Sequence, residues 1–244
     1  MTAKKAGETG KTTARAGTGA PTRAGAGAAR TEGAPRSPNP EATRLNILEV
    51  ATEEFARMGL AGARVDEIAA KTGSSKRMIY YYFKDKEGLY IAALEEAYRK
   101  VRQTEATLDL EHLPPVEALR KLVEFTFDHH GANEDFIRLV MIENIHHAEY
   151  LARSEAIQEL NVSAIGEVER VYKRGVKEGL FRKGLTAIDL HWQISALCFF
   201  NVSNRATFSK IFRTDLGSRK AQAALREHTV EMVLRNVLKS ARDS

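Results

Sequence analysis

Cationic and hydroxyl side chains are concentrated in one short segment, residues 71–86, of a chain of 244 residues. The segment holds five bases against a single acid, Asp85, and therefore carries a formal charge of +4. The bases are Lys71, Lys76, Arg77, Lys84 and Lys86. Cations and hydroxyls of this kind contact phosphates, and polar side chains at the start of a helix reach base edges. The segment predicts a contact surface for double-stranded DNA.

The expected base contacts lie at the start of a short helix that begins near residue 75, and they are Ser75, Lys76, Arg77 and Met78. Arg77 can pair with guanine through two hydrogen bonds, and Met78 can touch the methyl group of thymine. Lys86 lies near the start of the next helix, where backbone N–H groups already favour anions. The full set that we expect to contact DNA is Arg64, Ser75, Lys76, Arg77, Met78, Tyr80, Tyr81, Tyr82, Lys84 and Lys86.

Three consecutive tyrosines, residues 80–82, follow these cations. They cannot all face the same way, because successive residues of a helix are about 100° apart. We expect one or two to pack inward with Ile79 and Phe83, and the outward ones to offer hydroxyls to phosphates. Core packing is the ordinary role of such a run, and we assign it to at least one of the three.

Local signals predict the helices that position these side chains. Asn39 is a suitable N-cap, Pro40 suits the first helical position, and Gly59 ends that helix. Apolar residues recur in it at helical spacing; they are Ile47, Leu48, Ala51, Phe55 and Met58.

A second short helix covers residues 65–71, and Gly73 supplies the turn after it. Ser74 or Ser75 caps the third helix, and Asp85 caps the fourth. A short amphipathic helix, a glycine turn and a basic helix together are typical of a helix-turn-helix DNA-binding motif.

The chain beyond Pro114-Pro115 keeps a helical pattern throughout, and no strand-like alternation survives a count. We therefore predict an all-α fold of about nine helices. Thr186, with Asp189 three residues later, resembles a capping box. The fourth helix should reach about residue 107, and the later ones should cover 115–130, 134–148, 153–179, 186–210 and 219–240.

The net charge of +5 comes entirely from the first 40 residues, which hold seven bases and two acids. Residues 1–38 contain no Val, Ile, Leu, Phe, Tyr or Trp. Such a segment buries too little apolar surface to offset the entropy of ordering, so we predict a disordered basic tail. Two interpretations stay open: an arm that adds nonspecific phosphate contacts, or a solubilising or wrongly assigned start region.

Several function classes are disfavoured by what the sequence lacks. The single cysteine, Cys198, excludes an internal disulfide framework, fits a reducing compartment and is expected to be a buried, inert thiol. No apolar run approaches the ~20 residues of a membrane span, and we expect a cytoplasmic protein. No catalytic constellation appears. The pairs His129-His130 and His146-His147 lack i, i+4 ligand spacing, so we expect neither a metal nor another cofactor.

Residues 47–90 resemble the DNA-binding domain of the TetR family of bacterial regulators. The matching positions are Ile47, Val50-Ala51, Phe55, Gly59, Ile68-Ala69, Gly73, Ser75, Ile79-Tyr80, Phe83, Lys86 and Leu89. The resemblance implies a DNA-binding domain at 39–90 and a helical ligand-binding and dimerisation domain at 91–244. It implies a repressor that a small molecule releases from a palindromic operator. The alternatives are an activator with the same DNA-binding domain, or a helical protein that binds a small molecule without an operator.

Three positions depart from the family pattern. Arg64 replaces a threonine at the start of helix two, Arg77-Met78 replaces a Gly-Thr pair, and Tyr82 replaces a histidine. These substitutions should alter which operator is bound, and Arg64 leaves the capping of helix two in doubt.

The resemblance also implies that the helices at 186–210 and 219–240 form a homodimer interface. Their apolar residues fit that role, although core packing within one subunit explains them equally well. They are Leu190, Ile194, Leu197 and Phe200 in the first, and Val230, Val233, Leu234 and Val237 in the second.

The effector should bind among the middle helices. Arg205 or a histidine would bind an acidic ligand while an aromatic ring stacks on it; the alternative is that these polar residues are exposed or at an interface. The run from Met141 to Phe212 is similar to regulators of aromatic-acid or nicotinate breakdown, which suggests an effector of that kind. The residues that we expect to line the pocket are Phe127, His130, Asn144, Trp192 and Phe199.

Overall fold

The computed structural model describes residues 39–240, and the expected tail at 1–38 lies outside that range. Within it the chain forms ten α-helices. In order they are α1 Pro40–Gly62, α2 Val65–Thr72, α3 Lys76–Phe83, α4 Lys86–Glu105, α5 Pro115–Ala132, α6 Glu134–Ile145, α7 Glu155–Lys177, α8 Ala187–Ser203, α9 Arg205–Ile211 and α10 Arg219–Val237. Residues 39–240 contain no β-strand, only an isolated bridge between Phe181 and Leu238. The all-α prediction is confirmed.

The helix ends follow the expected capping chemistry. The Asn39 side chain accepts a hydrogen bond from the Glu41 N–H at 3.1 Å, and α1 leaves helical geometry at Gly59, where φ is 68°. A positive φ of this kind costs glycine little and other residues more. Thr186 and Asp189 form the complete capping box at the start of α8.

Several predicted helix boundaries were wrong. Among them, α6 ends at Ile145 rather than at 148, and α10 ends at Val237 rather than at 240. The helix expected at 186–210 is two helices that meet at Asn204, whose side chain donates to Ser203 Oγ at 2.8 Å, so ten helices form instead of nine. Local side-chain bonds of this sort compete with a continuous helix. The fourth helix ends at Glu105 and continues as a 3-10 turn, Ala106–Leu108. The seventh begins only at Glu155, after Ser154 caps it.

Two clusters of buried side chains hold the helices together. The first joins α1, α2, α3 and the start of α4 with Leu139 and Ile157, and the second joins α5, α7, α8 and α10. Tyr90 is fully buried in the first, with its ring 5.0 Å from that of Phe55 and 5.4 Å from that of Tyr150. The expected domain boundary at residue 90 therefore falls inside a continuous core.

No helix within the described residues is long and apolar enough to cross a membrane.

Candidate DNA interface and effector cavity

The helix-turn-helix is formed by α2 and α3 around Gly73, where the chain turns in the left-handed region at φ 62°. Ser75 then caps α3, since its Oγ accepts a hydrogen bond from the Met78 N–H at 3.1 Å. Arg64 precedes α2 and forms no side-chain cap, as its replacement of a threonine suggested. We call α1, α2 and α3 together, residues 40–83, the head.

A buried carboxylate fixes α2 on α1. Glu54 of α1 is only 2% exposed, and it accepts hydrogen bonds from Arg57 at 2.8 Å and from Lys71 of α2 at 2.9 Å. The bonds from Arg57 and Lys71 hold the pKa of the Glu54 carboxyl below its usual range. Lys71, counted in the basic segment, is therefore paired with a buried carboxylate of the head.

The other cations expected to contact DNA, which include Arg64 outside the segment, differ in their surroundings. The Arg64, Arg77 and Lys84 side chains are exposed and make no hydrogen bond or ion pair with the rest of residues 39–240. Lys76 forms an exposed ion pair with Asp66 at 3.1 Å. Lys86 Nζ donates to the Ala61 carbonyl at 3.2 Å. A lysine that forms an ion pair or a hydrogen bond of this kind still attracts phosphate. All five cations, Arg64, Lys76, Arg77, Lys84 and Lys86, therefore remain candidate DNA contacts.

The tyrosine run divides between surface and core. Tyr81 is 80% exposed and Tyr80 37% exposed, whereas Tyr82 is partly buried against the first core cluster. Met78 is also exposed. Tyr82 is thus the tyrosine that packs inward, and Tyr80 and Tyr81 remain able to contact DNA.

A tight turn joins α3 to α4. Lys84 has φ 68° and ψ −60°, and the Asp85 N–H donates to the Phe83 carbonyl at 2.8 Å, which makes a γ-turn centred on Lys84. This conformation is rare and strained for a residue with a side chain. Asp85 then caps α4 by accepting from the Gly88 N–H at 2.7 Å. A Cβ on Gly88 would overlap the Phe83 carbonyl oxygen, so the turn packs directly on the first turn of α4.

A cavity of about 460 Å³ lies among α4, α5, α6, α7 and α8. Five aromatic side chains line it, and they are Tyr98, Phe125, Phe136, Trp192 and Phe199. Its charged and titratable lining groups are Arg102, Glu105, His129, His130 and His191. Apolar walls with a few convergent polar groups are typical of sites for small molecules.

Three nitrogen atoms on this lining are buried without a hydrogen-bond partner: Arg102 Nε, His129 Nδ1 and His130 Nδ1. Arg102 is otherwise paired with Glu105 through Nη1. Burial lowers the pKa of His130 to about 4, with His129, Arg102 and His191 adding to the effect. Burial and then Arg102 lower the pKa of His191 to about 4 as well. Both imidazoles are therefore neutral at pH 7.

Four of the five expected lining residues lie at this cavity: His130, Asn144, Trp192 and Phe199. Phe127 does not. It is 4% exposed and packs in the second core cluster, because it follows Val123 by one helical turn on the inner side of α5. Ligand binding by the four remains a prediction.

The cationic residue of the cavity was not the expected one. Arg205 lies outside the lining and pairs with Glu134. Arg102 takes the place that Arg205 was expected to hold. Its signal in the sequence is weak: it follows Tyr98 by four residues and precedes Glu105 by three on one face of α4.

The residues expected at a dimer interface lie mostly inside the subunit. Leu190, Ile194, Val230, Val233, Leu234 and Val237 are buried in the second core cluster, and Leu197 packs against it. Of the eight, Phe200 is the one largely exposed, at 48%. Core packing, the alternative explanation, is therefore correct for the other seven.

Cys198 is fully buried, and burial raises the pKa of its thiol to about 12. Residues 39–240 hold no group of three or more His, Cys, Asp or Glu side chains placed to bind a metal ion.

Two family models match the chain. Residues 47–93 match the model described as bacterial regulatory proteins, tetR family, and residues 115–233 match the tetracyclin repressor-like C-terminal domain. The first match contains α2, α3 and the turn to α4, and the second contains α5 to α8.

Curated relatives agree with these matches. The chain is 34% identical over 202 residues to the HTH-type transcriptional repressor NicS of Pseudomonas putida, covering 83% of this chain and 95% of the relative. It is 33% identical over 141 residues to the repressor SCO4008 of Streptomyces coelicolor, covering 57% of this chain and 69% of that one.

Among solved structures, a transcriptional regulator from Saccharomonospora viridis in complex with choline aligns with a TM-score of 0.63. The alignment covers 82% of this chain and all of that one at 22% identity, which shows the shared fold. Together with the helix-turn-helix geometry and the two family matches, the similarity to NicS shows that the chain belongs to the TetR family of bacterial transcriptional regulators.

Proposed function

We propose that this TetR-family repressor binds a palindromic operator as a homodimer and is released when a small aromatic acid occupies the cavity. Its role as a ligand-responsive, DNA-binding repressor follows from the family. The dimer, the chemical class of the effector and a cytoplasmic location are the parts that we add. NicS and SCO4008, both named as repressors, support repression over activation.

The chemical class of the effector is inferred from three buried nitrogens that lack a hydrogen-bond partner: Arg102 Nε, His129 Nδ1 and His130 Nδ1. A buried donor without an acceptor costs free energy, which a ligand that supplies the acceptor recovers. Arg102 Nε always carries a proton, and a neutral imidazole carries one on either ring nitrogen. A planar carboxylate accepts from such donors, and its bonds to a guanidinium are charge-assisted. The only carboxylate on the lining, Glu105, already pairs with Arg102.

The remaining lining suits an aromatic ring. Phe125 and Phe136 each lie near His129, with ring centroids at 5.4 Å and 6.5 Å. A flat ligand gains from offset or edge contacts with such rings. A cavity of about 460 Å³ accommodates a single small aromatic acid with room for water.

The helix α4 connects the cavity with the head. Arg102 lies near its C-terminal end, whereas Leu89 and Tyr90 at its N-terminal end are buried with α1. A ligand that shifts α4 therefore moves the head. Two heads must sit about 34 Å apart to enter successive major grooves, so a small displacement in each subunit favours release.

The DNA-binding half of the proposal is tested by selecting duplexes from a random pool with the full-length protein. We expect a palindromic consensus, and binding to it at 150 mM salt about a thousandfold tighter than to a scrambled duplex. Equal affinity for both duplexes would contradict operator function.

The effector half is tested by thermal shift and operator release with matched pairs of ligands. Benzoate and nicotinate carry the carboxylate, while benzamide and nicotinamide keep the ring without the charge. We expect the acids alone to raise the melting temperature and release the operator. Arg102→Gln should abolish both effects, whereas Arg205→Gln, which changes an arginine outside the cavity, should retain them. Equal effects of acids and amides would contradict the proposal.

A further inference from the structure

An acidic side chain lies beside the start of α3, where the expected base contacts begin. Helices α2 and α3 contain only two acids, Asp66 and Glu67, and both lie in the first turn of α2. Lys76, the first residue of α3, donates from Nζ to Asp66 Oδ2 at 3.2 Å, and the same nitrogen lies 3.1 Å from Oδ1. An acid at a DNA-binding surface repels phosphates, so Asp66 lowers affinity unless it serves another purpose.

The contact with Asp66 changes how Lys76 can bind DNA. A free lysine is a flexible point charge, which binds phosphates without regard to sequence. The carboxylate balances the Lys76 charge, so the pair attracts phosphate less than a free lysine does. It also fixes the ammonium in position, and the remaining N–H bonds of the ammonium point away from Asp66. A donor with a fixed direction favours one acceptor at a defined place.

The major groove offers acceptors of that kind. They are N7 and O6 of guanine, N7 of adenine and O4 of thymine. The Lys76 side chain is 48% exposed and the Asp66 side chain 58% exposed, so DNA can reach the pair. Exposed ion pairs contribute little to stability, and the bond from Lys71 to Glu54 already joins α2 to α1. The fold therefore gains little from the pair, whereas the pair decides how Lys76 meets DNA.

We propose that Asp66 is a specificity-determining residue, which holds Lys76 so that its ammonium reads an acceptor on a base edge instead of binding phosphates. Asp66 does not touch the base and acts as a positioning residue through Lys76. The inference rests on the proposed operator and adds one base position to the one assigned to Arg77. Because Arg77 follows Lys76 by about 100° around α3, the two side chains should read different positions of each half-site.

The experiment uses the full-length protein with three kinds of duplex. They are the preferred duplex selected from the random pool, a set substituted at every position, and a scrambled duplex. Asp66→Asn keeps the shape of the side chain but removes its charge, so Lys76 becomes a freely moving cation. We expect the preference at one position of each half-site to fall at least about fivefold, while the scrambled duplex is bound more tightly.

Glu67→Gln is the matched control. It removes the same charge from the same turn of α2, and Glu67 forms no ion pair with another residue in the range 39–240. We expect Glu67→Gln to leave every base preference unchanged. On the scrambled duplex, the slope of log affinity against log salt should steepen by at least about half a unit more in Asp66→Asn than in Glu67→Gln. Both unfolding midpoints should stay within about 2 °C of the wild type, which shows that the variants fold.

A double variant tests whether Asp66 acts through Lys76. Lys76→Ala alone should remove the preference at the same position as Asp66→Asn. In the Lys76→Ala background, Asp66→Asn should then change no base preference, because the residue that it positions is gone. A further loss of preference in the double variant would show that Asp66 itself accepts from a base, such as the N4 amino group of cytosine. That result would overturn the inference.

The outcomes distinguish this inference from the proposed function. If the wild type selects a consensus and Asp66→Asn keeps the same preference at every position, the inference alone is overturned. Equal changes in Asp66→Asn and Glu67→Gln would also overturn it, because they would reflect the loss of a charge and not the release of Lys76. If the wild type selects no consensus, the proposed operator function fails, and this inference fails with it.

Discussion

Lys71 Nζ donates a hydrogen bond to Glu54 Oε2 at 2.9 Å, and this bond joins α2, the first helix of the helix-turn-helix, to α1. The Glu54 carboxylate is 2% exposed, while Lys71 remains 46% exposed. A charge buried at this depth is tolerated because Arg57 and Lys71 supply three hydrogen bonds to its two oxygens. The orientation of α2, and hence of α3, depends on this carboxylate.

We therefore expect Glu54→Gln to lower the free energy of unfolding at pH 7 by about 1.5–3 kcal/mol, the range for hydrogen bonds to a charged group. Glu53→Gln, at an exposed neighbouring position without such bonds, is the control and should stay within about 0.5 kcal/mol of the wild type. Urea denaturation measures both. The Glu54 pKa is lowered in the folded protein, so its contribution is present above the ordinary carboxyl value of 4.5 and is lost as the pH falls through the lowered value. The free energies of unfolding of Glu54→Gln and of the Glu53→Gln control should therefore converge at acid pH.

The turn between α3 and α4 gives a second prediction. Gly88→Ala places a methyl group on the Phe83 carbonyl oxygen, so the γ-turn at Lys84 must open. We expect a loss of about 1–3 kcal/mol in stability, typical of overpacking, and weaker operator binding because α3 loses its fixed orientation. Gly62→Ala meets only ordinary contacts with Met58 at 3.5 Å and should be neutral. Equal unfolding midpoints for the two variants would show that the turn tolerates the methyl group.

The cavity histidines predict a dependence of stability on pH. Burial lowers the pKa of His130 from 6.5 to about 4. The unfolded chain therefore binds a proton at higher pH than the folded chain, and stability falls as the pH drops from about 6.5 to about 4. For His130 alone the loss approaches about 3 kcal/mol. His130→Gln should remove the part of the pH dependence of stability that His130 causes. Urea titrations at pH 7.5 and pH 5 measure the free energy of unfolding at each pH. His228→Gln, at an exposed position of α10, should keep the wild-type profile.

Local chemistry made the helix starts, and with them the head, predictable from sequence. Four helices are capped as the residue types require, because a cap depends on its neighbours within three residues. The capping residues are Asn39, Ser75, Asp85 and the Thr186–Asp189 pair. The spacing of framework residues in α1 to α4 identified the family for the same reason.

The cavity and the dimer face depend on packing between distant helices, which one sequence does not encode locally. Phe127 and Phe125 look alike in the sequence, yet α5 turns one toward the core and the other toward the cavity. Arg102 was missed because only the tertiary fold brings it to His129 and His130. Trp192, in contrast, was expected at the cavity, and the structure adds that it also faces outward.

Lys86 should act as a phosphate contact without base preference. Lys86→Ala is expected to weaken binding to specific and random duplexes alike and to reduce the slope of log affinity against log salt by about one unit. Lys100→Ala is the control, since it removes a charge from the same helix about 21 Å further along. Lys86 Nζ also bonds the Ala61 carbonyl, so the unfolding midpoint is measured beside the DNA titration. An unchanged salt slope with a lowered midpoint would assign Lys86 to stability instead.

Arg77 should differ from Lys86 by conferring sequence preference. Its side chain is exposed near the start of α3 and has no partner among the described residues, so its guanidinium is free to pair with a base edge. Arg77→Ala should cost about 1–3 kcal/mol on the preferred duplex and relax preference at one position of each half-site. Competition against duplexes substituted at every position measures this. An equal loss on specific and random DNA, the pattern expected of Lys86→Ala, would assign Arg77 to the phosphates.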